Sequence, residues 1–428
     1  MIATPLWRGK RYAVLGLARS GLAAVAALAK SGAEVVAWDG NEEARAGVAG
    51  MAVLGDPEVI DLAGFDALVV SPGVPLNRHP VAAKARAAGV PIIGDIELFA
   101  QARASLGPHK VVGITGTNGK STTTALAHHI IAGAGLPCLM GGNIGLPILA
   151  QEPLGRDGVY VLELSSYQID LTQSLDCDVA VLLNITPDHL DRYDGFGGYA
   201  AAKARLFAMQ APDHTAIIAI GDVPSAAIAR SLSSRGEHLV KIAAGLCMDQ
   251  SRWPSLQGPH NAQNALAAIS AAKALGISES AIDAGLASFS GLAHRMETVA
   301  VRGGVRFVND SKATNPASAA PALGSFEHIH WIVGGQPKGD DLDECAPHFA
   351  HVARAYTIGE AGARFAALLA LHMPVEQSGT LAAAVAAAAA NALPGHTVLL
   401  SPACASFDQF RDFEARGAAF RAAVEALV

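Results

Sequence analysis

The run Thr115-Gly116-Thr117-Asn118-Gly119-Lys120-Ser121-Thr122 constrains this chain more than any other stretch. It follows the apolar segment Val111-Val112-Gly113-Ile114 and leads into a helix-like segment over 121–134. Strand, small-residue loop and helix in that order open a parallel α/β unit. Small residues let backbone N–H groups turn inward around a polyphosphate. Lys120 adds positive charge, Ser121 offers a hydroxyl to Mg²⁺, and the helix N-terminus adds its partial charge. The strict form of this loop places glycine at 114, where this chain has Ile114, with Gly113 and Gly116 on either side, so the loop is a variant. A plain strand-to-helix turn does not need Gly-Lys-Ser-Thr at the helix start, and nucleotide binding is the expectation.

The rest of the chain repeats the same grammar. Tyr12-Ala13-Val14-Leu15, Glu34 to Trp38 and Ala67-Leu68-Val69-Val70 read as strands with helices between them. Gly16-Leu17-Ala18-Arg19-Ser20-Gly21 follows the first. It is one residue short of the dinucleotide fingerprint, with Asp39 near the distance of a ribose-binding acid. A tight helix-on-sheet turn explains it equally well. Strand ends of such a sheet face ligands, which makes Arg19, Ser20 and Gly73 candidate contacts. Later strands are expected at 159–164, 179–184 and 216–220, then at 305–308, 329–333 and 398–400. A length of 428 residues accommodates several cores. The fold class expected is α/β, with three domains in series at 1–108, 109–293 and 294–428. Each is a mostly parallel sheet with flanking helices: Rossmann-like, P-loop ATPase-like and Rossmann-like again.

Composition removes several alternatives. A net charge of −7 gives no basic footprint for nucleic acid. No apolar run is long enough to span a bilayer, and the alanine-rich stretch 381–393 reads as a packed helix. Residues 1–10 lack a signal-peptide core. Five widely spaced cysteines, Cys138, Cys177, Cys247, Cys345 and Cys404, fit free thiols in a reducing cytoplasm.

Chemistry-bearing residues recur where strands end. Glu163 closes an apolar segment and suits Mg²⁺ beside the phosphate loop. His189, in Asn184-Ile185-Thr186-Pro187-Asp188-His189, suits a metal or a phosphate, with Asp188 to orient it. Lys203 lies on a helix-like segment, where composition alone favours a solvated lysine. Asn261 and Asn264 are spaced to share a helix face and suit an adenine edge, although capping explains a lone Asn. Asn309-Asp310-Ser311-Lys312-Ala313-Thr314-Asn315 puts Asp310 and Lys312 within reach of a nucleotide, or forms a polar turn capping the helix after Pro316. Gly334-Gly335-Gln336-Pro337-Lys338-Gly339 and Ala403-Cys404-Ala405-Ser406-Phe407-Asp408 are two further strand-end loops.

These segments together resemble, nearly end to end, the Mur ligases of bacterial peptidoglycan synthesis. The carrying residues are Gly94-Asp95-Ile96-Glu97-Leu98-Phe99, the phosphate loop, Gly141-Gly142-Asn143-Ile144-Gly145, Glu163-Leu164-Ser165-Ser166, Asp188-His189, His260-Asn261 with Asn264, and 310–315. Ser401-Pro402-Ala403-Cys404-Ala405-Ser406 with Asp408-Gln409-Phe410 completes the set. The first and last of these mark the D-glutamate-adding branch. The Asp-Asn-Pro-Arg motif of the diaminopimelate-adding relatives is absent.

The resemblance implies a cytoplasmic, ATP-dependent amide-forming ligase acting as a monomer without membrane insertion. Its substrates would be UDP-N-acetylmuramoyl-L-alanine, D-glutamate and ATP, in a pathway on which cell shape and division depend. Residues 1–108 would bind the UDP-substrate, 109–293 ATP, and 294–428 the amino acid. The implied ATP contacts are Gly116, Thr117, Asn118, Gly119, Lys120, Ser121, Thr122, Asn261, Asn264, Arg295 and Asp310. The UDP-substrate would meet Arg19, Ser20, Ser71, Gly73, Asn143, Ser165 and Gln168. D-Glutamate would meet Thr314, Lys338, Ser406 and Phe413. Ser121 and Glu163 would hold one Mg²⁺; His189 and a CO₂-modified (carbamylated) Lys203 would hold a second. Lys120, His189, Lys203 and Lys312 would be the catalytic set. An acyl phosphate on the alanyl carboxylate, attacked by the amino-acid amine, is the implied route. Three rivals fare worse. The N-terminal unit ahead of the phosphate loop argues against a folylpolyglutamate synthase. The imperfect fingerprint disfavours a nicotinamide oxidoreductase. Lys120, Glu163, His189 and Lys203 together disfavour a non-catalytic nucleotide-binding regulator.

Overall fold

The computed structural model describes residues 1–243, 248–337 and 339–427, so Cys247 and Lys338 lie outside the described residues. Three mostly parallel sheets are present. By internal contacts the chain forms two units, Met1–Leu246 with Gln263–Ala287, and Cys247–Ala262 with Ser288–Val428. The first holds two of the sheets.

The N-terminal sheet contains β1 (Arg11–Leu15), β2 (Glu34–Trp38), β3 (Val53–Leu54), β4 (Ala67–Val70) and β5 (Ile92–Ile93) in the order β3-β2-β1-β4-β5, all parallel. The glycine pattern after β1 is a packing device. A Cβ on Gly21 would lie 1.9 Å from the Gly16 carbonyl oxygen, so the helix Arg19–Lys30 approaches its strand only because position 21 has no side chain. Asp39 fastens the same turn, accepting from the backbone N–H of Leu17 at 2.7 Å and of Asn41 at 2.8 Å.

The central sheet contains β6 (His109–Thr115), β7 (Cys138–Gly142), β8 (Gly158–Glu163), β9 (Val179–Leu182), β10 (Thr215–Ala219) and β11 (Leu239–Ile242), ordered β11-β10-β9-β6-β8-β7. β8 and β9 are buried along their whole length, as continuous apolar runs covered on both faces should be. β6 has β8 on one side and β9 on the other, in parallel register. The carboxyl ends of these three strands therefore open at one place, and the chain reverses its winding direction there.

The segment Gly94–Phe99 joins the two sheets of this unit. Glu97 is buried and accepts from Gln173 N–H at 2.7 Å, Ser174 N–H at 2.9 Å and Ser174 Oγ at 2.8 Å. Phe99 packs edge-on against Tyr160 of β8, ring centroids 5.0 Å apart. The conspicuous acidic motif is thus a buried clamp, with hydrogen bonds compensating the desolvated charge.

The second unit contains β12 (Glu297–Arg302), β13 (Val305–Asn309), β14 (Ile329–Gly334), β15 (Val352–Ile358), β16 (Val375–Gly379) and β17 (Thr397–Leu400), ordered β12-β13-β17-β14-β15-β16. Only the β12–β13 pair is antiparallel. β13, β17 and β14 are adjacent, so the segments 310–315, 401–408 and 335–337 emerge side by side. The alanine-rich helix Leu381–Asn391 starts at a Thr380 cap and buries Leu381, Ala384, Val385 and Ala388, the stripe its period dictates. Among the described residues no helix is long and apolar enough to cross a membrane. Cys138, Cys177, Cys345 and Cys404 are unbridged.

Candidate active site

In the first unit the phosphate loop is held in shape by backbone geometry and a few long-range hydrogen bonds. Gly119 is left-handed (φ 86°), and a Cβ there would stand 2.3 Å from Asn264 Oδ1. Glycine is therefore required twice over, by φ and by the closeness of Asn264. Asn184, just past β9, does what the missing glycine at 114 does not. Its side-chain oxygen accepts from Thr117 N–H at 3.1 Å and Asn118 N–H at 2.8 Å, and its amide donates to the Asn118 carbonyl at 3.1 Å. Thr117 Oγ1 adds contacts to Thr186 and to Tyr199 Oη. Gln263 ties the helix Pro259–Ala274 to the Leu183 carbonyl at 2.7 Å.

Two lysines meet at this loop. Lys120, at the start of the helix Lys120–Gly133, donates to the carbonyls of Gly116 at 2.9 Å and Thr117 at 2.8 Å. Lys203, on the helix Gly195–Ala208, donates to the same Gly116 carbonyl at 2.8 Å and lies 4.6 Å from the Tyr199 ring. Only 1% of Lys203 is exposed. Burial, and after it the neighbouring Lys120 charge, hold its ammonium well below the ordinary lysine range. The solvated-lysine alternative is ruled out.

Glu163 ends β8 with 2% exposure. Its Oε1 accepts from Asn143 Nδ2 at 2.8 Å, whereas Oε2 is buried without a protein partner. A buried anionic oxygen left open is the hard donor that Mg²⁺ takes, and Ser121 is buried on the helix that starts beside the loop. The donor set therefore fits a divalent cation. No cluster of three or more His, Cys, Asp or Glu side chains able to hold a metal occurs among the described residues. His189 has φ 53°; its backbone N–H and Nε2 both approach the Asp188 carboxylate, at 2.9 and 3.5 Å.

The remaining first-unit candidates are held by contacts of their own. Arg19 donates to the carbonyl of Gly145, two residues after Asn143. Ser20 is in the first turn of its helix. Ser71 Oγ donates to the Gly16 carbonyl at 2.9 Å. Ser165 and Gln168 form a reciprocal capping box at the start of the helix Ser166–Asp170. The Gly73 carbonyl accepts from Arg192 at 3.2 Å. Arg192 also donates to the carbonyls of Pro72 and Val74 and stacks 4.2 Å from the Tyr167 ring, which is itself 5.0 Å from the His189 ring. Sequence reasoning missed Asn184, Gln263 and Arg192.

In the second unit Asn261 donates to the Gln257 carbonyl at 3.0 Å. Asp310 accepts from Ser401 Oγ at 2.8 Å and Met296 N–H at 3.2 Å, and burial pushes its carboxyl up to about 7 with the Arg295 charge opposing. Lys312 Nζ stands 4.0 Å from the Phe413 ring centroid. Thr314 lies in the loop that Asn315 closes as the cap of the helix Pro316–Leu323. Ser406 is buried in the loop after β17. The adenosine candidates are divided between the units, Asn264 in the first and Asn261, Arg295 and Asp310 in the second.

Family models match three successive stretches: a Mur ligase MurD-like N-terminal domain over 10–94, a Mur ligase middle domain over 114–246, and a Mur ligase glutamate ligase domain over 294–404. The chain is similar to UDP-N-acetylmuramoylalanine–D-glutamate ligase of Novosphingobium aromaticivorans, at 65% identity over 100% of this chain and 97% of the relative. It is likewise similar to that of Sphingopyxis alaskensis, at 64% over 100% of both. Among solved structures, UDP-N-acetylmuramate-alanine ligase from Thermotoga maritima shares the fold, with TM-score 0.60 and 16% identity over 97% of this chain and 99% of that one.

Proposed function

The chain belongs to the Mur ligase family, and from that premise we propose that it joins D-glutamate to UDP-N-acetylmuramoyl-L-alanine at the expense of ATP. The observation that carries this reading is end-to-end identity of 65% with a ligase of that specificity. The match over 10–94 to a Mur-type N-terminal domain counts against the folate-adding alternative.

A carboxylate resists an amine because its charge repels the nucleophile and oxide is a poor leaving group. In the proposed route an alanyl carboxylate oxygen attacks the γ-phosphorus and ADP leaves. The D-glutamate nitrogen then attacks the acyl carbon and loses a proton, and phosphate departs to leave the amide. Residues 1–108 are the UDP-substrate domain, and Arg19, Ser20, Ser71 and Gly73, with Asn143, Ser165 and Gln168 of the next domain, are the UDP-substrate contacts. Residues 109–293 hold ATP through the loop 116–122 and Asn264, joined by Asn261, Arg295 and Asp310. Residues 294–428 hold D-glutamate through Thr314, Lys338, Ser406 and Phe413, with Lys312 at the acyl phosphate.

Ser121 and Glu163 would hold one Mg²⁺, and His189 with a carbamylated Lys203 a second; bound there, the cations offset the negative charge of the reacting groups. The lowered lysine value supports the modification. A neutral amine attacks CO₂ and releases a proton, and the product is an anionic oxygen ligand where an ammonium stood. In this reading the enzyme acts as a monomer in the cytoplasm. Phosphate release that needs both UDP-N-acetylmuramoyl-L-alanine and D-glutamate tests the reading; release with the UDP-substrate and L-alanine or diaminopimelate alone would redirect it.

A further inference from the structure

Arg416 is 1% exposed, on the first turn of the helix Phe413–Glu425. All its donors point at the strand-end loops of the second unit. Nε donates to Ser311 Oγ at 3.0 Å, Nη2 to the carbonyls of Ser311 at 2.8 Å and Cys404 at 3.0 Å, and Nη1 to the carbonyl of Ala405 at 3.2 Å. Ser311 Oγ in turn donates to the Phe413 carbonyl at 2.9 Å. The third loop joins through Ala405, which exchanges backbone hydrogen bonds of 2.9 and 2.8 Å with Gln336. Gly335 is so close that a Cβ there would stand 2.5 Å from the Ala405 carbonyl oxygen and 3.2 Å from Arg416 Nη1. One guanidinium thus fixes where three loops and one helix lie relative to each other.

The charge is also unusual. Among the described residues no carboxylate forms an ion pair with Arg416, and its partners are carbonyl dipoles and a hydroxyl. Burial lowers its pKa to about 10, opposed by the Cys404, Asp408 and Asp310 side chains, none of them in ion-pair contact; a buried cation carries a large desolvation cost, and an apolar side chain would fill the space more cheaply if packing were its only role. The planar fork is suited to gathering several carbonyls at set angles. Thr314, Ser406 and Phe413, proposed above to meet D-glutamate, sit respectively in the Ser311 loop, next to Ala405, and at the head of the arginine's own helix. The incoming amino acid carries two carboxylates, which a nearby buried cation favours.

We propose that Arg416 is a positioning residue for the dicarboxylate amino-acid subsite: it assembles the loops at 310–315, 335–337 and 401–406 around the helix bearing Phe413 and supplies a buried positive charge beneath them. The inference rests on the ligase reading, and its test separates the two. Wild-type full-length chain is assayed for phosphate release with each substrate varied in turn, alongside R416K, R416M and S311A. R416K and R416M are expected to raise the KM for D-glutamate at least 10-fold. The KM values for ATP and UDP-N-acetylmuramoyl-L-alanine should stay within 2-fold, with R416M the worse of the pair. S311A, which keeps the arginine and removes one acceptor, is expected to raise the D-glutamate KM alone, several-fold. Should R416K and R416M fail to fold, S311A decides. Unchanged D-glutamate KM in the folded variants, or equal shifts for all three substrates, overturns the proposal. A wild-type chain that ligates no D-glutamate overturns the ligase reading instead.

Discussion

Lys203 reaches across 87 positions of sequence to the carbonyl of Gly116, at 2.8 Å. That carbonyl also accepts from Lys120, so two lysines converge on one peptide of the phosphate loop. Burial without a carboxylate partner leaves Lys203 inclined to shed its proton, the state in which it reacts with CO₂. Lys203→Arg keeps the cation and forbids the carbamate. Turnover is expected to fall at least about 100-fold, with ATP binding reduced far less. Wild-type chain stripped of CO₂ should lose activity and regain it with bicarbonate, while the arginine variant ignores bicarbonate.

Glu163→Gln keeps the shape and the contact from Asn143 but removes the negative charge on the buried oxygen. The Mg²⁺ concentration for half-maximal activity should rise about 10- to 100-fold. A magnesium titration of the variant that overlays the wild type would take Glu163 out of the metal site.

Asn184→Ala removes three hydrogen bonds to the backbone at Thr117 and Asn118. At roughly 1 kcal/mol net for each, the loop should lose ATP affinity by about 10- to 100-fold with little change in helix content. Equilibrium binding of an ATP analogue, read beside circular dichroism, checks this.

Asp95 has neither carboxyl oxygen in a well-formed hydrogen bond, and burial pushes it up to about 6 despite nearby N–H groups of Asp95 and Ile96 and the Gln168 amide. Its folded value lies above the unfolded one of 3.8, so the folded chain holds the proton between them. That stabilising contribution is complete below 3.8 and is lost as pH rises through about 6. Asp95→Asn should therefore flatten the decline in unfolding free energy between pH 4.5 and 7, by about 2 kcal/mol. Asp310, pushed up to about 7, leaves a residual slope of the same sign. Denaturant titrations across that pH range supply the comparison.

Local sequence revealed what depends on local physics. The inner strands of the first two sheets, β13, β14 and β17 of the third, the Gly119 turn and the alanine-rich packed helix follow from periodicity and residue shape, whereas the edge strands β3, β5, β7, β11, β12 and β16, and β15, are not read from it; the helix over 121–134 differs from the observed Lys120–Gly133 by one residue at each end. The strand expected at 179–184 ends at Leu182, because Asn184 leaves the ladder to hold the phosphate loop. Asp39 fastens a turn with both oxygens, a role its distance from the glycine pattern did not show. Glu97 looked like a family signature without a reason; its reason is a partner 77 positions away at Ser174. Asn184, Gln263, Arg192 and Arg416 act over separations of 66, 80, 119 and 105 residues, and no spacing rule reports such contacts. The substrate came from resemblance, since a phosphate loop alone does not distinguish one acyl acceptor from another.

The most direct measurement is phosphate release from ATP by the purified chain supplied with Mg²⁺, CO₂, UDP-N-acetylmuramoyl-L-alanine and D-glutamate, followed by mass analysis of the nucleotide product. The account predicts one phosphate per D-glutamyl residue added, dependence on both co-substrates, and loss in Lys120→Ala. Release that proceeds without D-glutamate and yields no amide, or amide formation that survives Lys120→Ala undiminished, would contradict it.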